Sequence, residues 1–211
     1  KRKIIKNNLW FQYYIIEPRL NQDDERLYAK ILDEMIGIAH MLPVPQKILE
    51  IGDVLIKLYD QLVSVGKGPK GLMSKFSTKI VVTQRQYDLF KYYLIRNRVG
   101  YGKLEPLFLD HYLEDIHCTG VGQIKAVHKV FGMIFTNIVF KDDLELNSYI
   151  MEVTERVERP VSDAKSVVDA IMPDGSRANF IYGRDVSLEG SSFTLRKFSE
   201  VPVSITQIVN W

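Results

Sequence analysis

The chain has 211 residues, 46% of them hydrophobic and 26% charged, and a formal net charge of +2. That length and apolar content exclude disorder of the whole chain and allow one large domain or two small ones. The mild charge argues against a nucleic-acid clamp, and Lys57 and Asp60 interrupt the apolar stretch at residues 54–65, so no run reaches the roughly 18 to 20 apolar residues of a membrane span.

A single cysteine, Cys118, cannot form an internal disulfide, and no secretory leader pattern opens the chain, so a reducing cytoplasm is the expected compartment. The chain starts at Lys1 without methionine. It stops at Trp211 just after Val203, Ile205, Ile208 and Val209, a pattern like the opening of another helix, so both ends read as cut.

Trp10-Phe11-Gln12-Tyr13-Tyr14-Ile15-Ile16 is aromatic and β-branched and is stopped by Glu17-Pro18, which predicts a short strand. Before it, Lys1, Arg2, Lys3 and Lys6 read as a solvated basic tail, with contact to an acidic partner or lipid headgroups as the alternative. Asp23 and Asp24 supply N-cap chemistry for a helix with Leu27, Ile31, Met35, Ile38 and Leu42 on one face, closed by Pro43 and Pro45. A second helix carries Ile48, Ile51, Leu55, Leu58 and Leu62, with Gly66 placed to end it. Gly66-Lys67-Gly68-Pro69-Lys70-Gly71 is a basic linker. A third helix is predicted from Gln84 to Arg98, burying Tyr87, Phe90 and Leu94, and a short fourth over residues 104–109.

Near residues 105–112 the period changes from helical to strand-like. Ile116-His117-Cys118 and Ile124-Lys125-Ala126-Val127-His128 flank a turn at Gly120-Val121-Gly122, and residues 134–140 continue the sheet. A helix capped near Asp142, with Glu145 at capping-box spacing, buries Leu146, Ile150, Val153 and Val157. A second hairpin turns at Pro173-Asp174-Gly175-Ser176, and a last strand covers residues 192–198. The expected fold is α+β: an N-terminal helical region packed on an antiparallel-sheet domain with covering helices. Its parts are an arm at 1–20, a helical subdomain at 21–110, a sheet domain at 111–200, and the start of a linker at 201–211.

Neither Gly-Lys pair completes a phosphate loop: Gly66-Lys67 is followed by Gly68, and Gly102-Lys103 by Leu104. His111, His117 and Cys118 lack the paired short spacings of a structural zinc, and Cys118 as a nucleophile would need a base and an orienting group beside it in space, so a small buried thiol is the expectation. The informative residues are arginines. Strand alternation puts Arg177, Asn179 and Ile181 on one face, and Thr194 and Arg196 opposite Phe193 and Leu195. If those strands are neighbours and their polar faces coincide, two guanidinium forks could converge on one phosphate; a solvated sheet face is the alternative.

Three stretches resemble the type II/IV secretion ATPase superfamily, in particular its archaeal branch of archaellum motor and type IV pilus ATPases. They are Tyr14-Ile15-Ile16-Glu17-Pro18-Arg19-Leu20; Gly100-Tyr101-Gly102-Lys103-Leu104-Glu105-Pro106-Leu107 with Leu113-Glu114-Asp115-Ile116; and Pro173-Asp174-Gly175-Ser176-Arg177 with Gly190-Ser191-Ser192-Phe193-Thr194-Leu195-Arg196-Lys197-Phe198. Ala178-Asn179 departs from the Val-Gln common in that family. The resemblance implies an N-terminal portion of a hexameric motor, lacking the RecA-like motor domain and inactive alone, whose full-length form is an ATPase using ATP and Mg2+. It implies that Arg177 and Arg196 reach the γ-phosphate, with Lys197 and Arg184 as secondary candidates, and that the fragment binds no nucleotide stably by itself. Implied partners are the C-terminal motor domain, neighbouring subunits of a homohexamer, a membrane platform protein and archaellum or pilus accessory proteins, with no nucleic acid. The implied location is cytoplasmic, at the inner face of the membrane. A nucleic-acid-binding α+β module using Arg177, Arg196 and Tyr182, or a stand-alone adaptor domain, is the alternative.

Overall fold

Asn21, in extended conformation, accepts a hydrogen bond from the Asp24 amide at 2.7 Å, and the Asp24 carboxylate accepts one from the Asn21 amide at 3.4 Å. This reciprocal capping box starts helix α1 (Gln22–Ala39). The cap is thus Asn21, ahead of Asp23 and Asp24, because the chain stays extended until residue 21. The computed structural model describes residues 2–7, 10–40, 48–66 and 79–198. The prolines at 43 and 45, the glycine-rich linker beyond Gly66 and the helix opening expected at 203–209 lie outside them.

The chain divides into two compact units, one of residues 17–105 and one of residues 1–16 with 106–211. The first holds α1, α2 (Ile48–Leu62) and α3 (Gln84–Arg98). Thr83 and Gln86 form a second capping box at the start of α3. Ile31, Met35, Leu58, Tyr59, Phe90 and Leu94 meet in its core, the helical faces that the three- and four-residue spacing predicts. Between α2 and α3 the sequence reading missed a parallel ribbon of β3 (Val63–Val65) and β4 (Ile80–Val82). Val-Ser-Val and Ile-Val-Val are β-branched but too short to show a period. Gly66 therefore ends a strand, its amide donating to the Val82 carbonyl at 3.3 Å, rather than a helix.

A 3-10 turn (Gly102–Leu104) and the short helix α4 (Glu105–Phe108) lead to the second unit. Its eight strands are β1 (Arg2–Asn7), β2 (Trp10–Ile15), β5 (Leu113–Cys118), β6 (Gly122–His128), β7 (Gly132–Phe140), β8 (Val167–Ile171), β9 (Arg177–Ile181) and β10 (Ser192–Arg196). They lie in the order β1-β2-β7-β6-β5-β10-β9-β8, antiparallel except where β2 meets β7. The basic N-terminal segment is therefore a strand from Arg2 onward, not a tail. Ile4 and Ile5 favour extension, and the Arg2 guanidinium pairs with Asp110 at 3.2 Å.

The β2–β7 ladder is short, Phe11 facing Ile134 through Tyr13 facing Thr136. A register shift between β6 and β7 then turns the Asn137 side chain toward β2. Its amide accepts from the Ile15 N–H at 2.8 Å and donates to the Ile15 carbonyl at 2.9 Å, extending the ladder by one side chain.

Helix α5 (Asp143–Arg156), capped by Asp142, covers one face of this sheet with Leu146, Ile150 and Val153 buried. Tyr149 of α5 packs against Phe140 and Phe193 at ring separations of 5.3 and 5.7 Å. Among the described residues, five helices and a mostly antiparallel eight-stranded sheet make the protein α+β, as expected. Among the described residues no helix is long and apolar enough to cross a membrane.

Candidate functional site

On β9 and β10 the buried side chains are Ala178, Phe180, Phe193 and Leu195, all on the face that α5 covers. Alternation sends Arg177, Asn179, Thr194 and Arg196 to the opposite face. The two strands are antiparallel neighbours with Arg177 directly opposite Arg196 and Asn179 opposite Thr194. Both conditions of the sequence reading are met: the strands adjoin and their polar faces coincide. The turn from β8 into β9, with Gly175 at φ +84°, is tied to the end of β10 by buried Ser176, whose hydroxyl donates to Asp174 at 2.7 Å and accepts from the Phe198 amide at 3.0 Å.

The flanking strands complete the surface. Asp169 of β8 accepts from the Asn179 amide at 2.9 Å, and His117 of β5 lies 3.3 Å from the Thr194 hydroxyl. Asp115, opposite Arg196 on β5, accepts from Nε at 2.9 Å and from Nη2 at 3.3 Å. Arg177, Asn179, Thr194, Arg196 and Asp169 line a cleft of about 700 Å³ together with Val157 and Arg159. Arg159 is brought there by the end of α5, where Glu158 takes a left-handed φ of 57° and the Arg159 amide donates to the Thr154 carbonyl at 2.9 Å.

Like charges directly opposite on a sheet repel, and Arg177 and Arg196 are such a pair. Asp115 neutralises one of them, and its hydrogen bond raises the Arg196 pKa above the usual arginine value. Among the described residues neither Arg177 nor Arg159 forms an ion pair. The cleft thus presents three guanidinium groups, the Asp169 carboxylate, the Thr194 hydroxyl and the Asn179 amide, with Asp115 holding Arg196 from β5. This set suits an anion with several oxygens: guanidinium forks match phosphate bidentately and never titrate away.

The secondary candidates are elsewhere. Lys197 follows Arg196 but turns to the other face, where its amine donates to the carbonyls of Leu107, at 3.3 Å, and Asp110. Burial pushes that amine down to about 8, against the opposing pull of Asp110. Arg184 pairs with Asp143 in the first turn of α5 at 2.6 Å. The Tyr182 hydroxyl points to Met151 of α5, on the face away from Arg177. Cys118 is buried, its thiol directed to the Gly120 carbonyl, and among the described residues no histidine, cysteine or carboxylate cluster could hold a metal. The sequence reading missed Arg159, which follows a helix with no periodic signal, and quoted Asp115 only within a motif; its register opposite Arg196 is a tertiary fact.

No family model matches the chain. It is 42% identical over 207 residues to "Uncharacterized protein MJ0900" of Methanocaldococcus jannaschii, a match covering 95% of this chain and 38% of that protein. From the same archaeon, "Uncharacterized protein MJ1288" is 30% identical over 83% of the chain and 66% of its own length, and "Uncharacterized protein MJ0781" 27% identical over 99% and 26%. The chain spans less than two thirds of each relative. Among solved structures it is similar to part of the VirB11 ATPase from the Brucella suis type IV secretion system in complex with sulphate. That match has 20% identity and a TM-score of 0.42, over 51% of this chain and 32% of that one, a likeness too slight to carry an argument.

Proposed function

We propose that this chain is the nucleotide-facing N-terminal portion of a hexameric motor ATPase of the archaellum, type IV pilus or secretion kind. The observation that carries the reading is the register pair Arg177 and Arg196, two arginines side by side on the exposed face of one cleft. The order of the three sequence stretches that resemble this superfamily supports it. In this reading a separate motor domain supplies the phosphate loop and binds ATP and Mg2+. Arg177 and Arg196 approach the γ-phosphate from the other side and stabilise the charge that develops there. Loss of that phosphate on hydrolysis removes their ligand, so the two domains move apart. Neighbouring subunits of the ring and a platform protein at the membrane are the proposed partners, and the chain alone hydrolyses nothing.

The test is ATP turnover by a full-length protein carrying this chain, as wild type and with Arg177→Ala or Arg196→Ala. Each variant is expected to stay folded and to lose about a hundredfold or more in kcat, the scale of a removed transition-state donor. Normal hydrolysis by both variants would reduce this portion to an assembly and docking module.

A further inference from the structure

An arginine that binds phosphate from an exposed strand must give up the freedom of a long side chain. Arg196 is 74% exposed, yet its guanidinium is already held in one plane by the Asp115 carboxylate through Nε and Nη2. Asp115 is itself only 16% exposed and fixed on β5, in register with Arg196. The grip is from the side of the guanidinium. It leaves the terminal edge, Nη1 and the outer proton of Nη2, unoccupied among the described residues, on the face where Arg177 stands.

We infer that Asp115 is a positioning residue for the anion cleft: it fixes the Nε side of Arg196 so that the Nη edge is presented, beside Arg177, to a phosphate group. The inference rests on the phosphate-facing reading of Arg196. It assigns to a carboxylate a role opposite to its charge. As a bare negative charge Asp115 would repel the ligand, whereas as an anchor it helps to hold it, and the two effects have opposite signs in one experiment.

The experiment is a titration of this chain with inorganic pyrophosphate, followed by NMR through backbone amides and the Arg196 Nε–H signal. The proteins are wild type, Arg196→Ala, Asp115→Asn and the double variant. Arg196→Ala is expected to weaken binding by about tenfold, as loss of a charge-assisted pair does. Asp115→Asn is expected to weaken it about threefold despite removing a negative charge, through lost preorganisation. With Arg196 absent, the same substitution should strengthen binding, because only the repulsion remains to be removed. Asp115→Glu keeps the charge and shifts the carboxylate by one methylene; it should also weaken binding, and it serves if Asp115→Asn does not fold. Stronger binding by Asp115→Asn in both backgrounds, or unchanged binding by Asp115→Glu, overturns the positioning role while leaving Arg196 as a ligand. Unchanged binding by Arg196→Ala overturns the phosphate-facing reading itself, and the positioning role with it.

Discussion

Arg196 and Lys197 are consecutive in the chain and serve opposite faces of the sheet. Arg196 stands in the exposed cleft with its fork on Asp115, while Lys197 passes under the strand end to the carbonyls of Leu107 and Asp110. The end of β10 is thereby tied to the segment that leads into this unit, and any shift of Arg196 on its ligand works against the Lys197 anchor.

That anchor has a pH signature. The Lys197 amine titrates near 8, below the roughly 10.4 of an unfolded lysine. Between those values the unfolded chain holds the proton more tightly, so this site's contribution to stability rises with pH, and at neutral pH the buried charge is a cost. Asp110 and Asp174 oppose the shift, and Arg2 and Lys129 add to it. Urea unfolding of wild type and Lys197→Met should show the difference moving in favour of wild type, by on the order of 1 kcal/mol, from about pH 7 to about pH 9.5.

Asp24 has the opposite behaviour. It is buried, and hydrogen bonds from Gln86 at 3.0 Å, then Arg85 at 3.1 Å and the Asn21 amide, outweigh burial and hold its carboxyl below the usual carboxylate value. Its contribution is complete above the unfolded pKa of about 3.9 and is lost as pH falls through the lower folded value. Asp24→Ala should cost about 1–3 kcal/mol near neutral pH. The gap to wild type should narrow in unfolding titrations as pH falls below the unfolded value of about 3.9.

Glu158 holds a left-handed conformation in the turn that ends α5, a position that favours glycine. Glu158→Gly should therefore stabilise the protein by about 0.5–1 kcal/mol, seen as a rise in thermal midpoint. The same change frees the backbone beside Arg159, so pyrophosphate binding is expected to weaken even as the melt improves.

Asn137 replaces a rung of the parallel ladder with a side chain. Asn137→Ala leaves the N–H and C=O of nearly buried Ile15 without this partner and should cost about 2 kcal/mol in denaturant unfolding. Asn137→Asp keeps the acceptor, loses the donor and sets a carboxylate against the Ile15 carbonyl, so it should be no better than alanine.

Local features were legible where periodicity or turn chemistry ran long enough. The 15 residues of α3 and the Pro173-Asp174-Gly175-Ser176 turn appear where the sequence puts them. Period-two alternation placed Arg177 and Arg196 on polar faces, but whether those faces coincide depends on the pairing of β9 with β10, which no local pattern encodes. Asp115 and Arg159 are harder still, one brought by β5 across the sheet and the other by a helix terminus. The basic strand β1 was hidden because its lysines resemble a solvated tail, although Ile4 and Ile5 are its strand signal.

The β1–β2 hairpin pairs with β7, more than a hundred residues later in the chain, with the whole of residues 17–105 between them in sequence. During synthesis the hairpin emerges before β7 and must wait, with Tyr13 and Ile15 lacking the cover they have in the finished sheet, while the helical unit completes its own core. β1 and β2 thus gain their place in the sheet only once β7 has been made. Conditions that slow translation of the intervening segment should lengthen the interval in which this aromatic hairpin is open to chaperones or to self-association.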